Sequence, residues 1–261
     1  FVPLQVQTKD ELEQVADSLN SMGKRIMDYQ DSLQEKNKQM EQLMDNVTHD
    51  LKTPISLIHL YASGLKDGLD DGTFLDTILD ENHQMEDMVN RLLYLSRMDK
   101  KEYEEIHIDL SDLFQRLIDK YSVMAENNHL NIRAELEEGI FITASEELII
   151  SMFTNLVTNA IKYSSGKEIS VELSKKENQV IFKISNETDN QTLDTSKIWD
   201  PYYVGEKSRN KNLSGTGLGL SIVRKICETQ HYFIDCSLCD RNIVFTVVIP
   251  SKDAMFFKYD R

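Results

Sequence analysis

Basic residues are what this sequence is short of. It sets 29 Lys and Arg against 44 Asp and Glu, a formal net charge of −15 over 261 residues. A reader of duplex DNA carries a basic face to neutralise phosphates, so direct nucleic-acid binding is not expected. The same deficit argues against docking on an anionic membrane surface. Cysteine is scarce, with three residues, and no signal-like stretch opens the chain. Both points fit a reducing compartment and exclude a disulfide-stapled scaffold. No apolar run approaches the ~20 residues that cross a bilayer, so this stretch is expected to be soluble. The sequence starts at Phe1-Val2-Pro3 without an initiator methionine and is expected to be part of something larger.

What the chain does have is helical periodicity. Leu12, Val15, Leu19, Met22, Ile26, Tyr29, Leu33, Lys36, Met40, Leu43 and Val47 follow in steps of three and four, with Lys36 the one polar member. Heptads of this length predict a coiled coil, and so an oligomer. Past Val47 the stripe continues as Leu51, Pro54, Ile58, Tyr61 or Ala62, and Leu65. A step of four where three was due is a stutter. The helix is predicted to end near Lys66-Asp67-Gly68, and a second amphipathic helix to run from Thr73 to Met98. A hairpin alone cannot bury both stripes, so a dimeric four-helix bundle is expected. Residues 99–106 read as a charged linker. Helices are then predicted from Leu110 to Asn127 with Ser111 as candidate cap, from Glu146 to Tyr163 and from Leu218 to Thr229. Strands are predicted over 130–136, 140–143, 167–175, 178–186, 232–238 and 242–249. That succession predicts an α/β sandwich with a mixed or antiparallel sheet.

Three stretches carry chemistry. In V-T-H-D-L-K-T-P, residues 47–54, a neutral imidazole at His49 is a competent nucleophile if its other nitrogen is held by a carboxylate. Asp50 is that carboxylate, Thr53 lies one turn on and can position a water, and Pro54 bends the helix. The plainer reading is a solvated histidine on a kinked coiled coil, which accounts for each residue but not for the cluster. In N-L-V-T-N-A-I-K-Y-S, residues 155–164, Asn155, Asn159 and Lys162 share a helix face. Amide oxygens suit Mg²⁺ and Lys162 suits a phosphate. An ordinary polar face reads equally well. In S-G-T-G-L-G-L-S-I-V, residues 214–223, Gly215, Gly217 and Gly219 precede a helix. They suit a phosphate cradle at a helix N-terminus, or merely a tight turn. Cys236 and Cys239, with Cys227 and His231 nearby, lack a standard zinc spacing and read as strand packing.

Together these stretches resemble the catalytic half of a membrane sensor histidine kinase. Residues 47–54 resemble its H-box, 155–164 its N-box and G-T-G-L-G-L (215–220) its G2 box. I-W-D-P-Y-Y (198–203) resembles its F-box, with Trp199 and Tyr202 in the aromatic places, and residues 9–27 resemble the second helix of a HAMP relay. The resemblance implies the C-terminal part of a HAMP relay over 1–27 and a coiled-coil connector over 28–45. It implies a dimerisation and histidine-phosphotransfer hairpin over 46–100, a linker over 101–108, and an ATP-binding catalytic domain of the Hsp90 and gyrase type over 109–261. His49 is then the phosphoacceptor, Asp50 its general base and Thr53 the water-positioning residue of a phosphatase activity. Asn159 is the Mg²⁺ ligand, with Asn155 beside it. Lys162, Tyr163, Asn186, Gly215, Thr216, Gly217, Leu218 and Gly219 are nucleotide contacts. Arg209 is the favoured phosphate contact in the ATP lid, about 190 to 214. ATP and Mg²⁺ are the implied cofactors. A second copy of the chain and a cognate response regulator are the implied partners, with no nucleic acid. The whole protein is expected to be membrane-anchored through a missing N-terminal segment, with this chain its cytoplasmic portion.

The sequence departs from the family at two places. The G1 box usually reads D-x-G-x-G, and its Asp accepts a hydrogen bond from the adenine amino group. Here residues 186–190 read N-E-T-D-N, so Asn186 takes the Asp place and Thr188 and Asn190 the glycines. Val204 also stands where many relatives carry a lid arginine. Two other readings stand beside this one: a scaffold whose nucleotide site is vestigial, given the altered G1 box, and an ATPase clamp that keeps ATP binding but forms no phosphoprotein.

Overall fold

The computed structural model describes residues 4, 11–98, 101–190, 192–201, 203 and 217–250. By contacts the chain divides into two units, Phe1–Asn82 and His83–Arg261.

In the first unit, helix α1 (Glu11–Lys66) runs unbroken for 56 residues. The heptad side chains from Leu12 to Leu33 and Met40 face solvent, at 43 to 67% exposure. A stripe that apolar is unsatisfied in one copy of the chain. Pro54 is buried inside the same helix. Lacking an N–H, it leaves the carbonyl of Asp50 without its helical donor. On either side, hydroxyls bond back to the helix: Thr48 Oγ1 donates to Met44 O at 2.8 Å and Ser56 Oγ to Lys52 O at 2.8 Å. Such back-bonding favours bending. Gly68, at φ +73°, ends α1. Its N–H bonds Leu65 O at 3.2 Å and the next N–H, of Leu69, bonds Gly64 O at 2.9 Å, a Schellman closure. Asp70 then accepts from the N–H of Gly72 and of Phe74, and Asp71 from the Thr73 hydroxyl at 2.6 Å. These bonds open α2 (Phe74–Arg97) and lay the Phe74 ring over Gly64, edge-on to Tyr61 at 4.9 Å.

The second unit takes in the C-terminal half of α2, whose Tyr94 and Leu95 pack on its core, with Met98 just beyond fully buried. Lys101 Nζ reaches both oxygens of Glu147, at 2.8 and 2.6 Å. The predicted linker ends in a strand that the sequence reading did not anticipate: β1 (Ile106–Asp109) pairs antiparallel with β3 (Phe141–Ala144). Asp109, not Ser111, caps α3 (Leu110–Asn127), accepting from Asp112 N–H at 3.1 Å. The Ser111 hydroxyl instead bridges Glu137 O and the N–H of Ile140.

The remaining elements match their predicted places within a residue or two. They are β2 (Asn131–Leu136), α4 (Glu146–Tyr163), β4 (Glu168–Lys176), β5 (Gln179–Glu187), α5 (Gly219–Thr229), β6 (Phe233–Cys239) and β7 (Asn242–Pro250). The main sheet has the order β2-β4-β5-β7-β6 and is mixed. β2 and β4 run parallel because α4 lies between them in sequence, whereas the hairpins run antiparallel. On β5 every second residue from Val180 to Asn186 is buried, and on β7 every second from Ile243 to Ile249. Helices cover that face. Phe114 of α3, Phe153 of α4 and Phe182 of β5 meet at centroid separations of 4.8, 4.9 and 5.7 Å. Cys227 and Cys236 are buried free thiols, each pushed up to about 12 by burial first, whereas Cys239 is exposed. Cys236 and Leu238 share one face of β6, as packing residues should. Among the described residues no cluster of His, Cys, Asp and Glu is set to hold a metal. No described helix is long and apolar enough to cross a membrane.

Candidate functional site

His49 lies on α1 with 82% of its side chain exposed. Its Nδ1 is 3.2 Å from Asp50 Oδ1, and Asp50 is 38% exposed. With the proton on Nδ1, the ring donates to Asp50 and leaves the Nε2 lone pair in solvent. The pairing exists because adjacent helical residues diverge by about 100°, which a carboxylate on one side can bridge back to an imidazole. Thr53 is exposed one turn on.

A second set of groups is carried by α4. Ser151, Asn155, Asn159 and Lys162 fall on one face at spacings of three and four. The four are neither buried nor fully open. Among the described residues the Asn159 amide meets no side-chain or backbone partner. Lys162 meets no carboxylate there, and its ammonium sits 5.5 Å from the Tyr163 ring centroid. Burial first, then the charge of Arg91 on α2, lower its pKa below the ordinary 10.5. A half-buried cation so placed is able to meet an anion.

Beside this face stands the N-terminus of α5. Gly217 has φ +63°, a left-handed turn that a glycine accepts freely. Leu218, fully buried, occupies the cap position, and no side chain caps the helix. The first intrahelical bond runs from Ile222 N–H to Leu218 O at 3.0 Å. The N–H groups of Gly219, Leu220 and Ser221 therefore precede it and point out of the helix end, where a phosphate is favoured. Asn155 links the two helices, because its Oδ1 lies 3.2 Å from where a Cβ on Gly219 would be.

The end of β5 completes the group. Asn186 is buried, and its Nδ2 donates to Glu187 O at 2.9 Å. The same carbonyl accepts the Ser165 N–H at 3.0 Å, tying the end of α4 to this strand. With Nδ2 engaged, Oδ1 remains as an acceptor. Thr188, buried where the G1 pattern has glycine, is held by its N–H to Arg241 O at 2.7 Å, and Arg241 pairs with Asp189 at 2.6 Å. The two lost glycines are thus replaced by a segment fixed to the β6–β7 turn. Trp199 packs edge-on to Phe245 at 5.9 Å, with Tyr203 also against the core.

The second unit therefore gathers Asn155, Asn159, Lys162 and Tyr163 on α4 with Gly217, Leu218 and Gly219 at the head of α5. Arg209, Gly215, Thr216, Tyr202 and Val204 lie outside the described residues. Three participants were missed in the sequence: Arg91, Gly166 and Glu187. A Cβ on Gly166 would meet Glu187 Cδ at 2.8 Å, so a side chain there would have to displace that of Glu187. The signal was a lone glycine after two serines, too common to read.

Comparison with known proteins gives the chain its relatives. The family described as the His Kinase A (phospho-acceptor) domain matches residues 39–101. The family described as histidine kinase-, DNA gyrase B- and HSP90-like ATPase matches residues 144–253. The chain is 29% identical to sensor protein kinase WalK of Staphylococcus haemolyticus over 211 residues, 76% of this chain and 34% of that protein. It is 27% identical to sensor-like histidine kinase SenX3 of Mycolicibacterium smegmatis over 214 residues, 78% of this chain and 56% of that protein. The chain thus spans about a third to just over half of these relatives. In fold it is similar to histidine kinase AdeS of Acinetobacter baumannii, with TM-score 0.63 and 21% identity, covering 78% of this chain and 98% of that one. It is likewise similar to histidine kinase ThkA, solved in complex with response regulator protein TrrA, with TM-score 0.66 and 21% identity over 85% of this chain and 67% of that one.

Proposed function

The chain belongs to the sensor histidine kinases of two-component signalling, and from that premise we propose that it moves the γ-phosphoryl group of ATP to its own His49 and thence to an aspartate of a response regulator. The observation that carries this reading is an imidazole held at Nδ1 by Asp50 and open at Nε2. Nε2 attacks the γ-phosphorus in line. The N–P bond forms as the bond from phosphorus to the β,γ-bridging oxygen breaks, and ADP departs. The imidazolium so formed passes its Nδ1 proton to Asp50.

The residues fit the cofactor that the family uses. Asn159, whose amide is unengaged among the described residues, would hold Mg²⁺ through Oδ1, with waters completing the shell. Bound there, the ion neutralises the triphosphate oxygens. Lys162 supplies a point charge to a phosphate, and Tyr163 lies beside it. The N–H groups after Gly217 cradle the phosphates, and Gly215, Thr216 and Arg209 extend that cradle on the family pattern. Asn186 accepts from the adenine amino group through Oδ1. The exposed heptad stripe supports a second copy of the chain as partner. Thr53, exposed near His49, serves the reverse dephosphorylation of the regulator. The likeness of residues 9–27 to a HAMP relay supports a membrane-anchored whole protein with this chain on the cytoplasmic side.

The test is incubation of the chain with γ-labelled ATP and Mg²⁺, beside His49→Gln. Acid-labile, alkali-stable label on the parent and none on the variant is expected. A parent that binds ATP and hydrolyses it without becoming labelled sinks this reading in favour of a clamp. A parent that binds no ATP leaves a scaffold.

A further inference from the structure

Gly217 and Gly219 are glycines for different reasons. Gly217 has a positive φ, and Gly219 does not. Gly219 is the first residue of α5, in ordinary helical backbone that alanine would also adopt. What stands in the way of a side chain is Asn155: a Cβ at 219 would lie 3.2 Å from its Oδ1 and 3.9 Å from its Cγ. Asn155 cannot easily yield, because its Nδ2 donates to Ser151 O at 2.8 Å on its own helix. The donor end of this carboxamide is therefore spent on α4, and that bond holds its oxygen end close against the first residue of α5. Asn159, one turn on, has neither commitment among the described residues.

We propose that Asn155 is a positioning residue and not a metal ligand: its carboxamide, braced on Ser151, is the spacer that sets the N-terminus of α5 against α4, and Gly219 is small to receive it. The spacer fixes where the N–H groups of Gly219, Leu220 and Ser221 stand relative to Asn159 and Lys162. A phosphate bridging the two helices needs that separation held to a fraction of an ångström. Leu218 and the Ser221 hydroxyl, which donates to Leu218 O at 2.9 Å, hold the same turn from inside. The inference rests on the nucleotide reading given above.

The experiment measures ADP binding to the full chain in Mg²⁺ and again in EDTA, for the parent, Asn155→Ala, Gly219→Ala and the double variant. Each single change is expected to weaken ADP, Gly219→Ala by about tenfold, in both media alike. The double variant is expected to lose less than the product of the single losses, because the alanine methyl then fills the space that Asn155 leaves. Asn155→Asp keeps size and an oxygen ligand but replaces the donor with an acceptor facing Ser151 O. It is expected to weaken ADP in EDTA as well, whereas a metal ligand would keep its function as Asp. Loss confined to Mg²⁺ for Asn155→Ala, or strict multiplication of the single losses in the double variant, overturns the inference while leaving the nucleotide reading intact. A parent that binds no ADP in either medium overturns both. Melting of the four proteins without nucleotide reads the same contact independently: the double variant should fall short of the summed decreases.

Discussion

Lys162 shows at the scale of one residue how a site opposes the fold that carries it. Its pKa is lowered, by burial before anything else, so the folded state disfavours its charge. A lowered lysine means that the unfolded chain binds the proton more tightly. The charged form therefore opposes folding at every pH below the depressed value, and the penalty lifts only as pH rises through it toward 10.5. Lys162→Met is accordingly expected to raise the apo melting temperature at pH 7, by about 1–2 °C, while weakening ADP. The gain in melting temperature should shrink as pH rises from the depressed value toward 10.5, and calorimetry across that range checks it. A variant that melts lower at pH 7 would show that the ammonium has a partner. The pairing of His49 with Asp50 was legible in the sequence because eight consecutive residues contain the whole arrangement. The approach of Arg91 to Lys162 was not, because it is made by distant segments whose meeting no periodicity records.

At the scale of the element, α1 shows an apolar stripe that its own chain does not cover. Heptad spacing predicted the stripe, and the structure exposes it. Ile26→Asp places a charge in that seam. It is expected to convert the chain from dimer to monomer in sedimentation at micromolar concentration, because a carboxylate cannot be desolvated there without a partner. A variant that remains dimeric would move the interface elsewhere. The helices and long strands were legible because their alternations are long and their ends carry turn chemistry, as at Gly68 and Asp70. β1 escaped because four residues with one buried side chain give no alternation to read. What defines it is pairing with β3, a tertiary fact. The cap of α3 was misplaced by two residues for the same reason: Ser111 is engaged by the 137–140 turn, leaving Asp109 to serve the helix.

At the scale of the whole molecule, the two units are stabilised by different means. The second has a closed core of helices on a sheet, whereas the first shows its apolar surface outward. Heating should therefore give two transitions. One, read by helical signal, should rise with protein concentration, since association stabilises it. The other, read by the single tryptophan, Trp199 against Phe245, should rise with added ADP and ignore concentration. One transition responding to both would show the units to be coupled. This division was invisible in the sequence, because it falls within α2, whose periodicity runs on without a break from one unit to the next.

The three cysteines, placed where they are, make the molecule convenient to watch. Two are buried with thiols pushed up to about 12, so at neutral pH almost none of their thiolate exists to react. Cys239 alone is exposed. A maleimide fluorophore thus finds one address on the natural chain, with no substitutions to make first. That address adjoins the turn at Asp240 and Arg241, whose backbone holds Thr188 and whose side chain holds Asp189. A dye there sits next to the segment that follows Asn186, and its emission is expected to change when ADP is added.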